Sequence, residues 1–189
     1  MSTASDSSNR VTLVAGPVGG VLAWVVGYGL VYLLTASEIE NSPIQQLIEI
    51  VQGEPATYKM VGWTFYNAHF VEVTFQGVPA VGDVTQNFIG SDGFSVLLYL
   101  IPAGLLLTTG VALGRAGDAR DVADGIIAGV SVVPGYLVCS VVGVFLFEIS
   151  IGTISGGPAL LPGVLLAGLL YPAFFAGLGG GLAALTAGG

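Results

Sequence analysis

Four apolar runs without a single charged residue dominate this sequence, at residues 13–35, 94–114, 125–147 and 159–185. Each is long enough to cross a bilayer, which takes about 20 residues as a helix. Helix is the expected form, because a membrane barrel shows short alternating segments rather than unbroken apolar runs. The first run exceeds the ~7–15 residues of a signal-peptide core and reads as an uncleaved span. The expected fold class is therefore an all-α membrane protein. It is a four-helix transmembrane bundle with a partly β external loop between the first and second helices.

Composition agrees. Hydrophobic types make up 53% of the 189 residues and charged types only 8%, against about 25% in soluble domains. A water-soluble globule is excluded, because too little polar surface exists to cover the apolar mass. The four basic residues are Arg10, Lys59, Arg115 and Arg120. They form no patch, which argues against nucleic-acid binding. Twelve acids bring the net charge to −8, and with a single Lys this fits a surface adapted to salt. Cys139 has no second cysteine to pair with and reads as a small hydrophobe.

Orientation follows the basic residues. Arg10 precedes the first span, Arg115 and Arg120 lie between the second and third, and Lys59 alone lies on the other side. Both termini are expected in the cytoplasm of a multi-pass cell-membrane protein. Residues 1–12 form a polar N-terminus, 115–124 a cytoplasmic loop, 148–158 a short external loop and 186–189 the C-terminus. Eight of the acids fall on the external side.

The external loop, residues 36–93, is too long for a structureless connection. Ser42 and Pro43 have the character of an N-cap and first helical residue, and Gly53 that of a stop. Between them Ile44, Leu47, Ile48 and Val51 share one face, as in a short amphipathic helix lying on the membrane or on the loop. In KMVGWTFYNAHFVEVTFQGVP the VEVTF end alternates as a strand, whereas residues 60–70 fit strand or helix. Gly77, Pro79 and Gly82 mark turns, and the run from Gly90 to Gly93 breaks the chain before the second span.

This layout resembles a family of uncharacterised four-span membrane proteins of halophilic archaea. The resemblance rests on the long external loop with GWTFYNAHFVEV, the short Arg/Asp loop and the Gly-rich last span. It implies a halophile cell membrane and a domain of unknown function, and carries no catalytic residues.

Three groups of residues are candidates for function. Trp63, Phe65, Tyr66, His69 and Phe70 form an aromatic cluster suited to a recognition surface. Gly16, Gly20, Gly27, Gly125, Gly129, Ala173, Gly177 and Gly181 stand in small-residue rows that let helices approach closely. Such rows serve packing within the chain, a homo-oligomer or a membrane-protein partner. Pro134 and Gly135 form a candidate hinge.

The apolar runs hold no Asp, Glu, Lys, Arg or His, which disfavours a carboxylate proton relay. His69 has only Glu72 as a nearby companion, too few ligands for zinc. No nucleotide, cofactor or hydrolase motif occurs, so no catalytic, cofactor or metal residue is assigned. The leading expectation is a non-enzymatic structural or accessory protein that uses its external loop for recognition. The alternative is a small oligomeric transporter or channel. A membrane-embedded enzyme using His69 with Glu72 comes third.

Overall fold

The computed structural model of the chain describes residues 3–90 and 93–187, with side chains from residue 14 onward. The polar N-terminus with Asp6 and Arg10, the centre of the turn at Ser91 and Asp92, and the last two glycines therefore lie outside the described backbone or side chains. The fold is mostly helical, with a small antiparallel sheet. Four helical stretches are long and apolar enough to cross a membrane: Val14–Glu40, Val96–Ala116, Val122–Leu146 and Leu160–Ala187. The chain forms two compact units. The first takes residues up to Val25, Pro102–Ser140 and the chain from Gly168. The second takes Val26–Ile101 and Val141–Ala167.

The first unit is built from helices that touch backbone to backbone. Its elements are the N-terminal part of α1 (Thr3–Glu40), α4 (Leu100–Ala116) from Pro102 on, α5 (Val122–Val130), the start of α6 (Val133–Leu146) and α8 (Tyr171–Ala187). A side chain at Gly125 would overlap the Gly180 carbonyl, and one at Gly129 the Ala176 carbonyl. Gly177 and Gly181 meet Ile126 on the same seam. On α4, Gly110 faces the same Ala176 carbonyl, and Gly179 of α8 faces that of Leu107. The two small-residue faces of α8 thus serve two neighbours within one chain. Gly16 packs on Ser131 and Gly20 on the Val132 carbonyl. Ala173 is half-buried.

The third apolar run is not one continuous helix. Ser131 and Val132 form a turn between α5 and α6, and Pro134 is the second residue of α6. Proline has no amide hydrogen and crowds the carbonyl four residues back, so the helical ladder breaks just before it. Gly135 meets the Pro17 carbonyl, which makes it a close-contact glycine. The fourth run also departs from α geometry. After a short α7 (Leu160–Pro162) the helix widens to π spacing over Gly163–Leu170, between Pro162 and Pro172. The missing amide at Pro172 leaves the preceding turn without its ordinary partner.

The second unit is organised around α3 (Thr57–Asn67), which is buried almost all round. Residues 60–67 are therefore helix. The strand-like alternation of Val61, Trp63 and Phe65 reflects apolar residues placed on every side of a helix enclosed by protein. The chain then runs through β1 (Val73–Val78) and β2 (Gly82–Gln86). The second connection, read from the sequence only as a loop, supplies β3 (Ile149–Ile151) and β4 (Ile154–Pro158). The four strands are antiparallel in the order β2-β1-β4-β3. Each connection thus contributes half the sheet. A short β3 next to glycines carries almost no strand signal on its own. Between Ser42 and Gly53 lies α2 (Pro43–Gln52), and a 3₁₀ turn (Val96–Tyr99) leads into α4.

The seam between α5 and α8 predicts a contrast between two glycines. Gly129→Ala drives a methyl into a fixed backbone and should cost about 1–3 kcal/mol. Gly104→Ala meets nothing within 4 Å and should be neutral or slightly stabilising. Thermal unfolding in mild detergent separates the two.

Candidate interaction surface

Trp63, Phe65, Tyr66 and His69 all lie on or just after α3, and all four are buried. The Trp63 indole donates to the Phe147 carbonyl at 2.7 Å. Its ring packs edge-on against Phe75 and stacks on Phe88. Gly62 leaves the space that the Phe147 ring fills, and Tyr28 stacks on the same ring. Asn67 closes the helix, donating to the Val71 carbonyl and accepting from the Phe88 amide, both at 2.8 Å. These groups form the core of the second unit and do not make an exposed face. Of the five aromatic candidates only Phe70 is exposed. It holds φ of 61° and stacks on Tyr99.

His69 Nδ1 sits 2.8 Å from the Phe65 carbonyl, which can only accept, so this nitrogen carries the proton. Burial pushes its pKa down to about 4, against the small upward pull of that hydrogen bond. Glu72 is exposed, so burial separates the two residues proposed as a catalytic pair. Among the described residues no group of three His, Cys, Asp or Glu is placed to hold a metal ion.

Outside the four long apolar stretches, the largest group of exposed apolar side chains in this unit lies on α2. Local chemistry fixes the helix at both ends. The Ser42 side chain accepts from the Gln45 amide at 3.2 Å, Pro43 starts the first turn, and Gly53 at φ 79° returns its amide to the Glu49 carbonyl. Gln52 Nε2 ties the helix to the Ser150 carbonyl of β3 at 3.0 Å. The side turned inward holds Ile48 and Gln45, and neither end of the Gln45 amide finds a hydrogen bond. The side turned outward carries Ile44 at 48% exposure, Leu47 at 63%, Ile50 at 79% and Val51 at 62%. The helix therefore sits with an amide inside and most of its apolar face outside, against the usual order of burial. The sequence identified the helix and its face, but not which way the face turns.

Two measurements follow from this arrangement. Gln45→Met removes an unsatisfied buried amide and should raise stability by about 1 kcal/mol. The second concerns pH. His69 takes its proton near 4 when folded and near 6.5 when unfolded, so between those values the unfolded chain binds more protons. Stability should be full above 6.5 and fall as pH drops towards 4, by at most about 1.4 kcal/mol per pH unit. In His69→Gln the part of that slope between pH 6.5 and about 5 should vanish, ahead of most carboxylate titration.

Comparison with curated proteins and with solved structures returns no match. One family model covers residues 1–187, that of a family of unknown function (DUF7978). With nearly its whole length matched, the chain belongs to that family.

Proposed function

We propose that this chain is a multi-pass protein of the cell membrane with both termini in the cytoplasm. It serves as a non-enzymatic accessory component that binds a partner membrane protein on its outer side. Three of the four basic residues fall on the side that this orientation makes cytoplasmic. The acidic, lysine-poor composition supports a membrane bathed in high salt, as in a halophilic archaeon.

The observation that carries the recognition role is the outward apolar face of α2. A lipid surface is the less fitting cover. Interfacial helices draw on Lys and Arg, whereas residues 38–54 hold Glu38, Glu40, Glu49 and Glu54 and no basic residue. The fitting partner presents an apolar patch with a basic rim.

The test is affinity purification from the native membrane in mild detergent and high salt, read by native mass spectrometry. The wild-type chain should retain a stoichiometric second protein. Leu47→Glu with Val51→Glu should lose it while the unfolding temperature holds. Retention by the double variant would remove α2 from the role.

A preparation containing only copies of this chain would favour the second reading, a small oligomeric transporter. The break at Ser131 and Val132 and the π stretch over Gly163–Leu170 support that reading, since irregular helix exposes backbone groups at membrane depth.

A further inference from the structure

A cavity of about 420 Å³ opens beside the sheet in the second unit, between the end of α6 and the start of α7. Its volume falls within the ~300–1,000 Å³ of small-molecule sites. The strand register gives it one polar wall. On β1, Thr74 and Gln76 alternate with Val73 and Phe75, and Phe75 turns to the other side against Trp63. Thr74 lies opposite Gly157 and Gln76 opposite Ser155. A side chain at Gly157 would touch Glu148 at 3.4–3.7 Å, so this glycine leaves the space over which Glu148 lies. The other wall is apolar and open, with Phe145 at 61% exposure and Leu161 at 68%. These residues stand at the ends of two of the apolar helices. In the membrane reading proposed above, on which this inference rests, the groove lies where the chain leaves the bilayer.

We propose that this groove binds the polyhydroxyl headgroup of a glycolipid in the outer leaflet, with the lipid chains leaving over Phe145 and Leu161. Glu148 is the only charged residue in the lining, and among the described residues its carboxylate makes no hydrogen bond or ion pair. A carboxylate accepts from sugar hydroxyls and repels a phosphate at short range. Thr74, Gln76 and Ser155 each donate and accept, as sugar hydroxyls do. An amine headgroup would engage Glu148 and leave the three donors without a use. A mixed donor and acceptor wall facing an apolar one matches a molecule that is sugar at one end and hydrocarbon at the other.

The test uses the full chain in a polyoxyethylene detergent, which brings no sugar of its own. Monoglucosyl dioleoylglycerol, dioleoylphosphatidylglycerol and dioleoylphosphatidylethanolamine are titrated separately, and retained lipid is counted by native mass spectrometry. One glucosyl lipid should bind, at least tenfold more tightly than either phospholipid. Glu148→Gln should weaken it about tenfold, Ser155→Val should weaken it less, and Glu49→Gln should leave it unchanged. Equal retention of all three lipids overturns the proposal. So does preference for the amine lipid, or unchanged binding in both groove variants. Wild-type selectivity among the lipids decides the matter even where a variant fails to fold. Resistance of the same protein to carbonate extraction separates a failure of this site from a failure of the membrane reading.

Discussion

The first unit depends on contacts that only glycine permits. Lipid is as apolar as leucine, so helices in a bilayer gain little from hiding hydrocarbon from it and must gain from close approach. The Ala176 carbonyl illustrates the result, since Gly110 of α4 and Gly129 of α5 both lie against it. Neither position has room for a methyl group. Gly125 of α5 repeats the arrangement against the Gly180 carbonyl, and Gly179 and Gly180 of α8 lie against the Leu107 and Gly125 carbonyls. A chain with 30 glycines would be a poor helix former in water. Here the loss of intrinsic propensity is offset by dispersion contacts between backbones that run alongside one another.

The second unit solves a different problem with different residues. Two connections must build a core without the length of a soluble domain. They concentrate aromatic area instead: Trp63, Phe65 and Tyr66 come from α3, Phe75 from β1, Phe88 from the segment beyond β2, and Phe147 from the start of the second connection. The indole bond from Trp63 to the Phe147 carbonyl joins the two connections directly. The pairing of β1 with β4 joins them again. Lys59 adds a third link by donating to the Glu148 carbonyl at 3.0 Å. The lone basic residue of this region thus also serves as a hydrogen-bond donor to the backbone of the second connection.

What the sequence made legible depended on whether the signal was local. The four apolar stretches, the Ser42 and Gly53 caps of α2 and the strand over the last three residues of VEVTF each carry their cause within a few residues and were readable, whereas Val71 and Glu72 precede β1. The break before Pro134 was visible as a proline but not as a two-residue turn, because its place depends on which carbonyls are left without donors. The strands β3 and β4 were not readable, since ISI and ISGGP become strands only by pairing with β1. The inward face of α2 was not readable either. An apolar stripe marks the side that would prefer burial, whereas the residues of α2 that are buried are Gln45 and Ile48.

The aromatic cluster shows why function was harder to read than fold. Aromatic residues dominate both interfaces and cores, and one sequence alone does not separate the two uses. In a large soluble domain the aliphatic core comes from many elements, and a cluster such as WTFY in a loop stands out as a surface. Between apolar helices of membrane-spanning length that prior reverses. The aliphatic residues are largely committed to the spans, so a compact unit built from the connections must fill itself with the few large side chains it has. On the reading proposed above, recognition falls to apolar residues that the connections leave outside. Here those are Ile44, Leu47, Ile50 and Val51 on a helix whose two caps and tie to Ser150 hold it in place whether or not its apolar face is covered. A helix fixed in that way loses little further order when a partner covers it, and the cost of ordering a binding surface is one of the terms that most weakens association.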